Sequence, residues 1–200
     1  MYKKFGKRLF DIVCSIVLLV LISPLLLLIS FIVLITMGKP IFFVQQRVGR
    51  NGIHFGIIKF RTMINGAEKQ GTGLDSYADD PRVTKFGKFL RDSSLDELPQ
   101  AFNILKGDMS FVGPRPPVTY SPYKYNDYPE HAKRRFIVKP GVTGLAQING
   151  RNGLNWEQKF RYDNEYVKDY SFLKDLNIII KTAYKVLINE GGYDNKKEDK

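Results

Sequence analysis

Residues 12–37 carry no charged side chain and consist mainly of leucine, isoleucine and valine. About 20 such residues in a helix are enough to cross the hydrocarbon core of a bilayer. The stretch is longer than the roughly 7–15-residue core of a cleaved signal peptide, and no small-residue cleavage site closes it. The sequence therefore predicts that an N-terminal segment, residues 1–40, is held in a membrane.

Ser23-Pro24 divides this apolar segment near its centre. A proline removes one helical hydrogen bond and clashes with the preceding turn. Each half, about a dozen residues or roughly 18 Å long, is shorter than the ~30 Å hydrocarbon core. The residues alone leave two structures open: a broken helix that enters and leaves on the same side, and a single kinked span.

Positive side chains flank the segment on both sides, which favours a cytoplasmic position for both ends. They are Lys3, Lys4, Lys7 and Arg8 before it, and Lys39, Arg47 and Arg50 after it. The whole chain is basic, with 31 lysines and arginines against 20 acids and a net charge of +11. This charge predicts phosphorylated substrates or anionic membrane lipids as partners. Nucleic acid is not expected, because the chain has a long apolar segment and no nucleic-acid-binding motif.

After the membrane segment, the hydrophobic patterns predict a small α+β domain, predominantly helical, over residues 41–190. Two short strands at 41–44 and 54–60 flank the turn signal Asn51-Gly52 and form a hairpin. Helices are predicted at 84–91, 94–105, 156–170 and 175–189. The first of these mixes lysines with phenylalanines, so it either lies at the membrane interface or packs its phenylalanines into the core. Residues 191–200 are polar and are expected to be a disordered tail.

Two adjacent carboxylates, Asp96 and Glu97, stand at the start of the predicted helix 94–105 in this basic chain. One explanation is structural: Ser94 and Glu97 have the spacing of a capping box, which satisfies the first amide groups of a helix. A functional explanation is also open, since neighbouring side chains on a helix diverge by roughly 100° and can take separate roles. One carboxylate could hold Mg²⁺ together with substrate phosphates, and the other could attack phosphorus.

Five cationic side chains follow strand ends, helix starts or turn-rich loops, where they can bind phosphate groups. They are Lys59, Arg61, Arg91, Arg115 and Arg151. Arg115 stands between two prolines, which restrict its backbone and hold its guanidinium in place. Together with the acid pair, these cations predict a site for a phosphorylated substrate.

Several motifs follow one another in order along the chain. They are Ser23-Pro24, Lys59-Phe60-Arg61-Thr62-Met63, Asp80-Pro81-Arg82-Val83-Thr84, Ser94-Leu95-Asp96-Glu97-Leu98-Pro99-Gln100, Leu105-Lys106-Gly107-Asp108-Met109-Ser110-Phe111-Val112-Gly113-Pro114-Arg115-Pro116 and Pro140-Gly141-Val142-Thr143-Gly144-Leu145-Ala146-Gln147-Ile148-Asn149-Gly150-Arg151. In this order they resemble the small monotopic phosphoglycosyl transferases, the bacterial sugar transferase family. The resemblance covers nearly the whole chain, from Lys7 to roughly residue 190.

The resemblance implies an activity: transfer of a sugar-1-phosphate from a UDP-sugar to undecaprenyl phosphate, with release of UMP. It implies that Asp96 is the nucleophile, which forms a covalent phosphosugar intermediate in a ping-pong sequence, and that Glu97 is a Mg²⁺ ligand. It also implies a re-entrant membrane helix broken at Ser23 and Pro24. Both ends of that helix would lie at the cytoplasmic face of the bacterial inner membrane, which makes the protein monotopic.

The remaining roles implied by the resemblance are less specific. Substrate-binding roles fall on Lys59, Arg61, Arg91, Arg115, Arg151 and Asp163. Asp163 resembles a family acid near the active site that pairs with an arginine, while Lys7 and Arg8 resemble anchors for lipid headgroups. The alternative function is a non-catalytic lipid-binding scaffold at the membrane surface, which does not account for an acid pair beside anion-binding loops.

Overall fold

The computed structural model describes residues 2–70, 73, 77, 79–150 and 153–188. The fold is mostly helical, with a long apolar N-terminal helix and two small two-stranded sheets. Its elements are α1 (Lys7–Met37), β1 (Phe42–Val48), β2 (His54–Phe60), α2 (Lys85–Asp92), α3 (Gln100–Lys106), β3 (Ser110–Val112), α4 (Glu130–Lys133), β4 (Gly141–Thr143), α5 (Leu145–Ile148), α6 (Trp156–Lys168) and α7 (Phe172–Leu187). The predicted hairpin and the helices at 84–91, 156–170 and 175–189 are confirmed within a few residues.

Helix α1 runs through Pro24 without ending there. Because a proline removes only one helical hydrogen bond, a long helix tolerates it. The neighbouring Ser23 hydroxyl donates to the Val20 carbonyl at 2.9 Å. The break predicted at Ser23-Pro24 is therefore not a gap between two separate helices.

The N-terminal end of α1 is fastened to the rest of the protein by polar contacts. Arg8 Nη1 and Nη2 donate to the carbonyls of Ile104 and Leu105 at 2.6 and 2.7 Å, near the C-terminus of α3. Buried Asp11 accepts a hydrogen bond of 2.9 Å from the Ser110 hydroxyl. A cation at a helix C-terminus is favoured by the helix dipole, so Arg8 stabilises α3 directly.

The C-terminal end of α1 packs on the same domain. Ile29 and Val33 are buried in one cluster with Phe60 of β2 and Leu90 of α2. The guanidinium of Arg61, just after β2, donates to the last carbonyls of this helix and the residues that follow it, including those of residues 38 and 39 at 2.6 and 3.0 Å. Both ends of α1 are thus tied to one domain, while its middle, residues 16–28, is largely exposed.

The hairpin and α3 form the frame that positions the acid pair. Strands β1 and β2 pair antiparallel, with Phe42 opposite Phe60. The Asn103 side chain on α3 accepts from the Ile58 amide at 3.0 Å and donates to the Gly56 carbonyl at 2.7 Å. This fixes α3, and the turn that leads into it, against the middle of β2.

The capping-box prediction at Ser94 is wrong. Ser94 adopts a left-handed conformation with φ of 57° and its side chain caps nothing, while Leu95–Glu97 forms a single 3₁₀ turn. The α-helix begins only at Gln100, one residue after Pro99, because proline has no amide hydrogen and suits the start of a helix. The side chain of Glu97 is consequently available for other contacts.

Candidate active site

The acid pair lies in a cleft of about 1090 Å³ that is also lined by Lys59, Arg61, Arg91 and Arg115. The 3₁₀ turn of residues 95–97 faces the end of β2, which brings Lys59 next to both carboxylates. Lys59 Nζ lies 2.6 Å from Glu97 Oε1 and 4.0 Å from Asp96 Oδ2. The structure therefore brings four of the predicted cations and both predicted acids into one cleft.

Glu97 is held by two cations at once. Its Oε1 accepts from Lys59 Nζ at 2.6 Å and from Arg115 Nη2 at 2.8 Å. Burial acts to raise the pKa of Glu97, but the charges of Arg115 and Lys59 outweigh it and hold that pKa well below its usual range. Glu97 is therefore an ionised carboxylate throughout the physiological pH range.

Asp96 has the opposite electrostatic balance. It is 8% exposed, and burial raises its pKa to about 6, with the charge of Lys59 opposing the shift and that of Glu97 adding to it. Such a carboxyl is still mostly ionised at neutral pH, yet it is poorly solvated. A desolvated carboxylate beside a cation can act as a nucleophile towards an electrophilic phosphorus.

Two other predicted cations have protein partners at the edge of the cleft. Arg91 Nε donates to the Thr62 hydroxyl at 2.8 Å. Arg61 uses its terminal nitrogens on the carbonyls at the end of α1, as described above. Both therefore have a structural contact, and their substrate-binding roles stay predictions.

In the Pro-Arg-Pro-Pro loop, residues 114–117, every backbone carbonyl accepts a hydrogen bond. Four consecutive carbonyl oxygens accept hydrogen bonds of 3.0, 2.8, 3.1 and 3.0 Å. The donors, in order, are the Gly141 amide, Arg135 Nη2, Arg47 Nη1 and the Val48 amide. Proline has a fixed φ and no amide hydrogen to donate. The loop is therefore held in place through its carbonyl oxygens.

Asp163 pairs with Arg135, a residue that sequence reasoning did not single out. Asp163 is 1% exposed, and its Oδ2 lies 2.9 Å from Arg135 Nη2. The sequence signal for Arg135 is weak. Two arginines, Arg134 and Arg135, stand next to each other before an apolar run, and the sequence pattern does not show which of the two is buried. Arg151, also predicted for this site, and the predicted tail at 191–200 lie outside the described residues.

Lys7 and Arg8, predicted as headgroup anchors, both contact protein groups. Lys7 Nζ lies 2.6 Å from Oδ2 of buried Asp175 on α7, and Arg8 contacts the end of α3. Their contact with lipid stays a prediction. Both side chains instead join the start of α1 to the domain.

The residues present fit a magnesium ion that would arrive with a phosphorylated substrate. Within the described residues no group of three or more His, Cys, Asp or Glu side chains could hold a metal. Mg²⁺, however, is typically bound by one or two carboxylates together with substrate phosphates, and Asp96 and Glu97 supply that number. Glu97, ionised at physiological pH, is the better suited of the two.

The chain combines a long membrane-type helix with a cationic cleft that holds two unlike carboxylates. Residues 2–189 match the family model "Bacterial sugar transferase". The chain belongs to the bacterial sugar transferase family.

Its relatives include proteins of similar and of greater length. The chain is 47% identical to the "uncharacterized sugar transferase EpsL" of Bacillus subtilis, over 92% of this chain and 89% of that protein. It is 41% identical to the "undecaprenyl-phosphate galactose phosphotransferase" of Salmonella typhimurium, over 95% of this chain and 42% of that protein. It is 44% identical to the "UDP-glucose:undecaprenyl-phosphate glucose-1-phosphate transferase" of Klebsiella pneumoniae, over 94% and 41% respectively. The chain thus spans about two-fifths of the length of the latter two.

Proposed function

We propose that this protein transfers a sugar-1-phosphate from a UDP-sugar to undecaprenyl phosphate and releases UMP. The names of the Salmonella and Klebsiella relatives support the acceptor and the transferred group. The observation that carries the proposal is the pairing of a buried carboxylate, Asp96, with Lys59 and the Glu97–Arg115 ion pair in one cleft. A lipid-binding scaffold would not need a desolvated carboxylate at this place. The catalytic unit is residues 41–190, joined to the membrane segment 1–40.

In the first half-reaction, an oxygen of Asp96 attacks the β-phosphorus of the UDP-sugar. A bond forms between that oxygen and phosphorus, and the bond from phosphorus to the bridging oxygen breaks. UMP leaves with the electron pair of that bond, so the sugar phosphate is now attached to Asp96 as an acyl phosphate. The charges of Lys59 and Arg115, both within reach of the carboxylates, stabilise the negative charge that develops on the phosphate oxygens.

In the second half-reaction, a phosphate oxygen of undecaprenyl phosphate attacks the same phosphorus. The new bond completes a lipid-linked diphosphate sugar, and the bond to Asp96 breaks to restore its carboxylate. Because UMP leaves before the lipid phosphate reacts with the covalent intermediate, the kinetics are of the ping-pong type. Glu97 would hold Mg²⁺, whose charge neutralises phosphate oxygens when it is bound.

The assay that tests this function measures UMP. Purified protein is incubated with Mg²⁺, undecaprenyl phosphate and a panel of UDP-sugars, and we expect UMP release with at least one of them. Omitting the lipid should reduce UMP to at most one equivalent per protein, because the acyl phosphate then accumulates. Lipid binding without UMP from any UDP-sugar, and without a covalent adduct on Asp96, would favour the scaffold instead.

We further propose that α1 is re-entrant and lies at the cytoplasmic face of the bacterial inner membrane. The apolar segment is long enough to cross a membrane by length and composition. Its two ends, however, contact the same small domain through Arg8 and Arg61. A single span would place these ends on opposite sides of a ~30 Å hydrocarbon core. Anionic lipids would be attracted by the exposed lysines at both ends, Lys4 and Lys39.

Cysteine labelling distinguishes the two topologies. Cys14 is the one cysteine of the chain, so a Cys14→Ser background can carry either Lys4→Cys or Lys39→Cys. We expect both new thiols to resist an impermeant maleimide in intact spheroplasts and to react after lysis, because both ends lie inside. Labelling of just one of the two in intact spheroplasts would establish a full span and overturn the re-entrant proposal.

A further inference from the structure

The direction of the Arg115 side chain depends on its backbone. The Arg115 side chain is 46% exposed, so surrounding side chains do not enclose it, yet its Nη2 lies 2.8 Å from Glu97 Oε1. A long exposed side chain loses several rotatable bonds of freedom when it is fixed on one partner. A rigid starting point lowers that cost, and the engaged carbonyls of residues 114–117 provide one.

Among the groups that hold this loop, Arg135 is the one that contacts the Arg115 backbone directly. Its Nη2 donates to the Arg115 carbonyl at 2.8 Å and lies 2.9 Å from Asp163 Oδ2. Arg135 is 4% exposed, and its guanidinium carbon lies 5.6 Å from the ring centres of both Phe136 and Phe160. A planar guanidinium can bond acceptors at its edge while its faces stack on aromatic rings, and Arg135 does both: Nη2 contacts the Arg115 carbonyl and Asp163, and the rings of Phe136 and Phe160 pack against its faces.

We infer that Arg135 is a positioning residue: it holds the Arg115 backbone so that the Arg115 guanidinium stays on Glu97. Asp163 holds Arg135 in turn, which assigns this buried acid an indirect role without contact to the substrate. The order of support runs from Asp163 through Arg135 and Arg115 to Glu97. The inference deepens the proposed function, because it rests on that function for any effect on catalysis but not for the contact itself.

The competing explanation is that Arg135 and Asp163 form a buried ion pair that stabilises the domain and nothing more. Removing one partner would leave an unpaired buried charge and destabilise the protein under either explanation. The variant Arg135→Met/Asp163→Asn avoids this, because it removes both charges and leaves the net charge of the pair unchanged. Its direct electrostatic effect on Glu97 is therefore small, and a change at Glu97 reports on Arg115.

The test follows the Glu97 carboxyl by NMR on detergent-solubilised protein labelled with ¹³C-glutamate, and Glu97→Gln identifies the signal. No substrate is needed. In the wild type we expect the titration midpoint of Glu97 to lie well below the ordinary glutamate midpoint of roughly 4.3, because Lys59 and Arg115 contact its carboxylate. In Arg135→Met/Asp163→Asn the midpoint should rise by about one pH unit or more, as when a cation moves away from a carboxylate.

Three further variants make the result decisive. Arg134→Met, the exposed neighbour, should leave the midpoint unchanged. Adding Arg135→Met/Asp163→Asn to Arg115→Ala should raise the midpoint no further than Arg115→Ala alone, because the support acts through Arg115. A folded double variant with the wild-type midpoint, or an additive rise in the combined variant, would overturn the inference.

Arg135→Lys gives the same test if the double variant does not fold. Lysine keeps the buried charge opposite Asp163, but its ammonium group lacks the planar faces that lie over Phe136 and Phe160 and help to hold the donor nitrogen at the Arg115 carbonyl. We expect an intermediate rise of the Glu97 midpoint, and an unchanged midpoint would count against the inference. Failure of the proposed function appears separately, as wild-type protein with the expected Glu97 titration that releases no UMP.

Discussion

Asp96→Asn is expected to abolish turnover, with kcat for UMP release reduced at least about 10³-fold, or ~4 kcal/mol in the barrier. The amide has nearly the shape of the carboxylate, so the turn of residues 95–97 and the contact with Lys59 are kept in outline. An amide is not a nucleophile towards phosphorus, and the acyl phosphate cannot form. Intact mass spectrometry after incubation with UDP-sugar and no lipid should show the phosphosugar adduct on the wild type and none on the variant.

The matched control for this variant is Asp127→Asn. It makes the same chemical change at an exposed aspartate in a turn outside the cleft, and it should keep wild-type activity and adduct formation. Residual turnover of Asp96→Asn within tenfold of the wild type would exclude Asp96 as the nucleophile. A phosphosugar adduct that maps to another residue would do the same, even with low turnover.

Glu97→Gln is expected to lower kcat by about 10²-fold or more, or ~2.7 kcal/mol. The neutral amide is a much poorer Mg²⁺ ligand than a carboxylate, so the Mg²⁺ concentration for half-maximal activity should rise as well. The change also removes the negative charge that Lys59 and Arg115 contact at 2.6 and 2.8 Å, while the amide oxygen still accepts a hydrogen bond. Glu157→Gln, at an exposed position on α6, is the matched control and should change neither quantity.

The same variant has a signature in the pH dependence. Burial is the main cause of the raised pKa of Asp96, about 6, and the charge of Glu97 adds to it. In the proposed mechanism Asp96 attacks as a carboxylate, so wild-type activity should fall as the pH drops through about 6. Glu97→Gln removes a neighbouring negative charge, which lowers the pKa of Asp96, and the fall should move to lower pH. An acid limb that stays in place or moves upward would contradict the electrostatic coupling of the two carboxylates.

Local sequence patterns were sufficient to predict helix α2 and the β1–β2 hairpin, because the signals that define them lie within a few neighbouring residues. Helix α2 begins after Thr84, whose hydroxyl accepts from the Gly87 amide at 2.9 Å, and this cap is readable from the sequence. The pairing of β1 with β2 follows from two strands around a turn signal. The capping box at Ser94 failed because Pro99 delays the α-helix and because two cations bind Glu97, which no window of a few residues reveals.

The candidate site was predicted as a set of residue types, not as an arrangement. Asp96 and Glu97 are adjacent in sequence, so their proximity needed no folding argument. The contact of Lys59 with both depends on Asn103, which sets α3 against β2. The contact of Arg135 with Arg115 depends on tertiary packing across separate elements, and the sequence offers no period or spacing for it.

The contacts of helix α1 limit whether it can be replaced by a membrane helix from another protein. Ile29 and Val33 belong to the same buried cluster as Phe60 and Leu90. Arg8 donates to carbonyls at the C-terminal end of α3, the helix that follows the turn of residues 95–97. A foreign anchor of equal hydrophobicity would insert in a membrane but would lack these complementary surfaces. In the Salmonella relative, of which the match covers only 42%, the matched region still takes in 95% of this chain. We therefore expect α1 and the turn of residues 95–97 to work as one structural unit: other segments can be added to it, but exchanging α1 alone would remove the contacts that it makes with β2, α2 and α3.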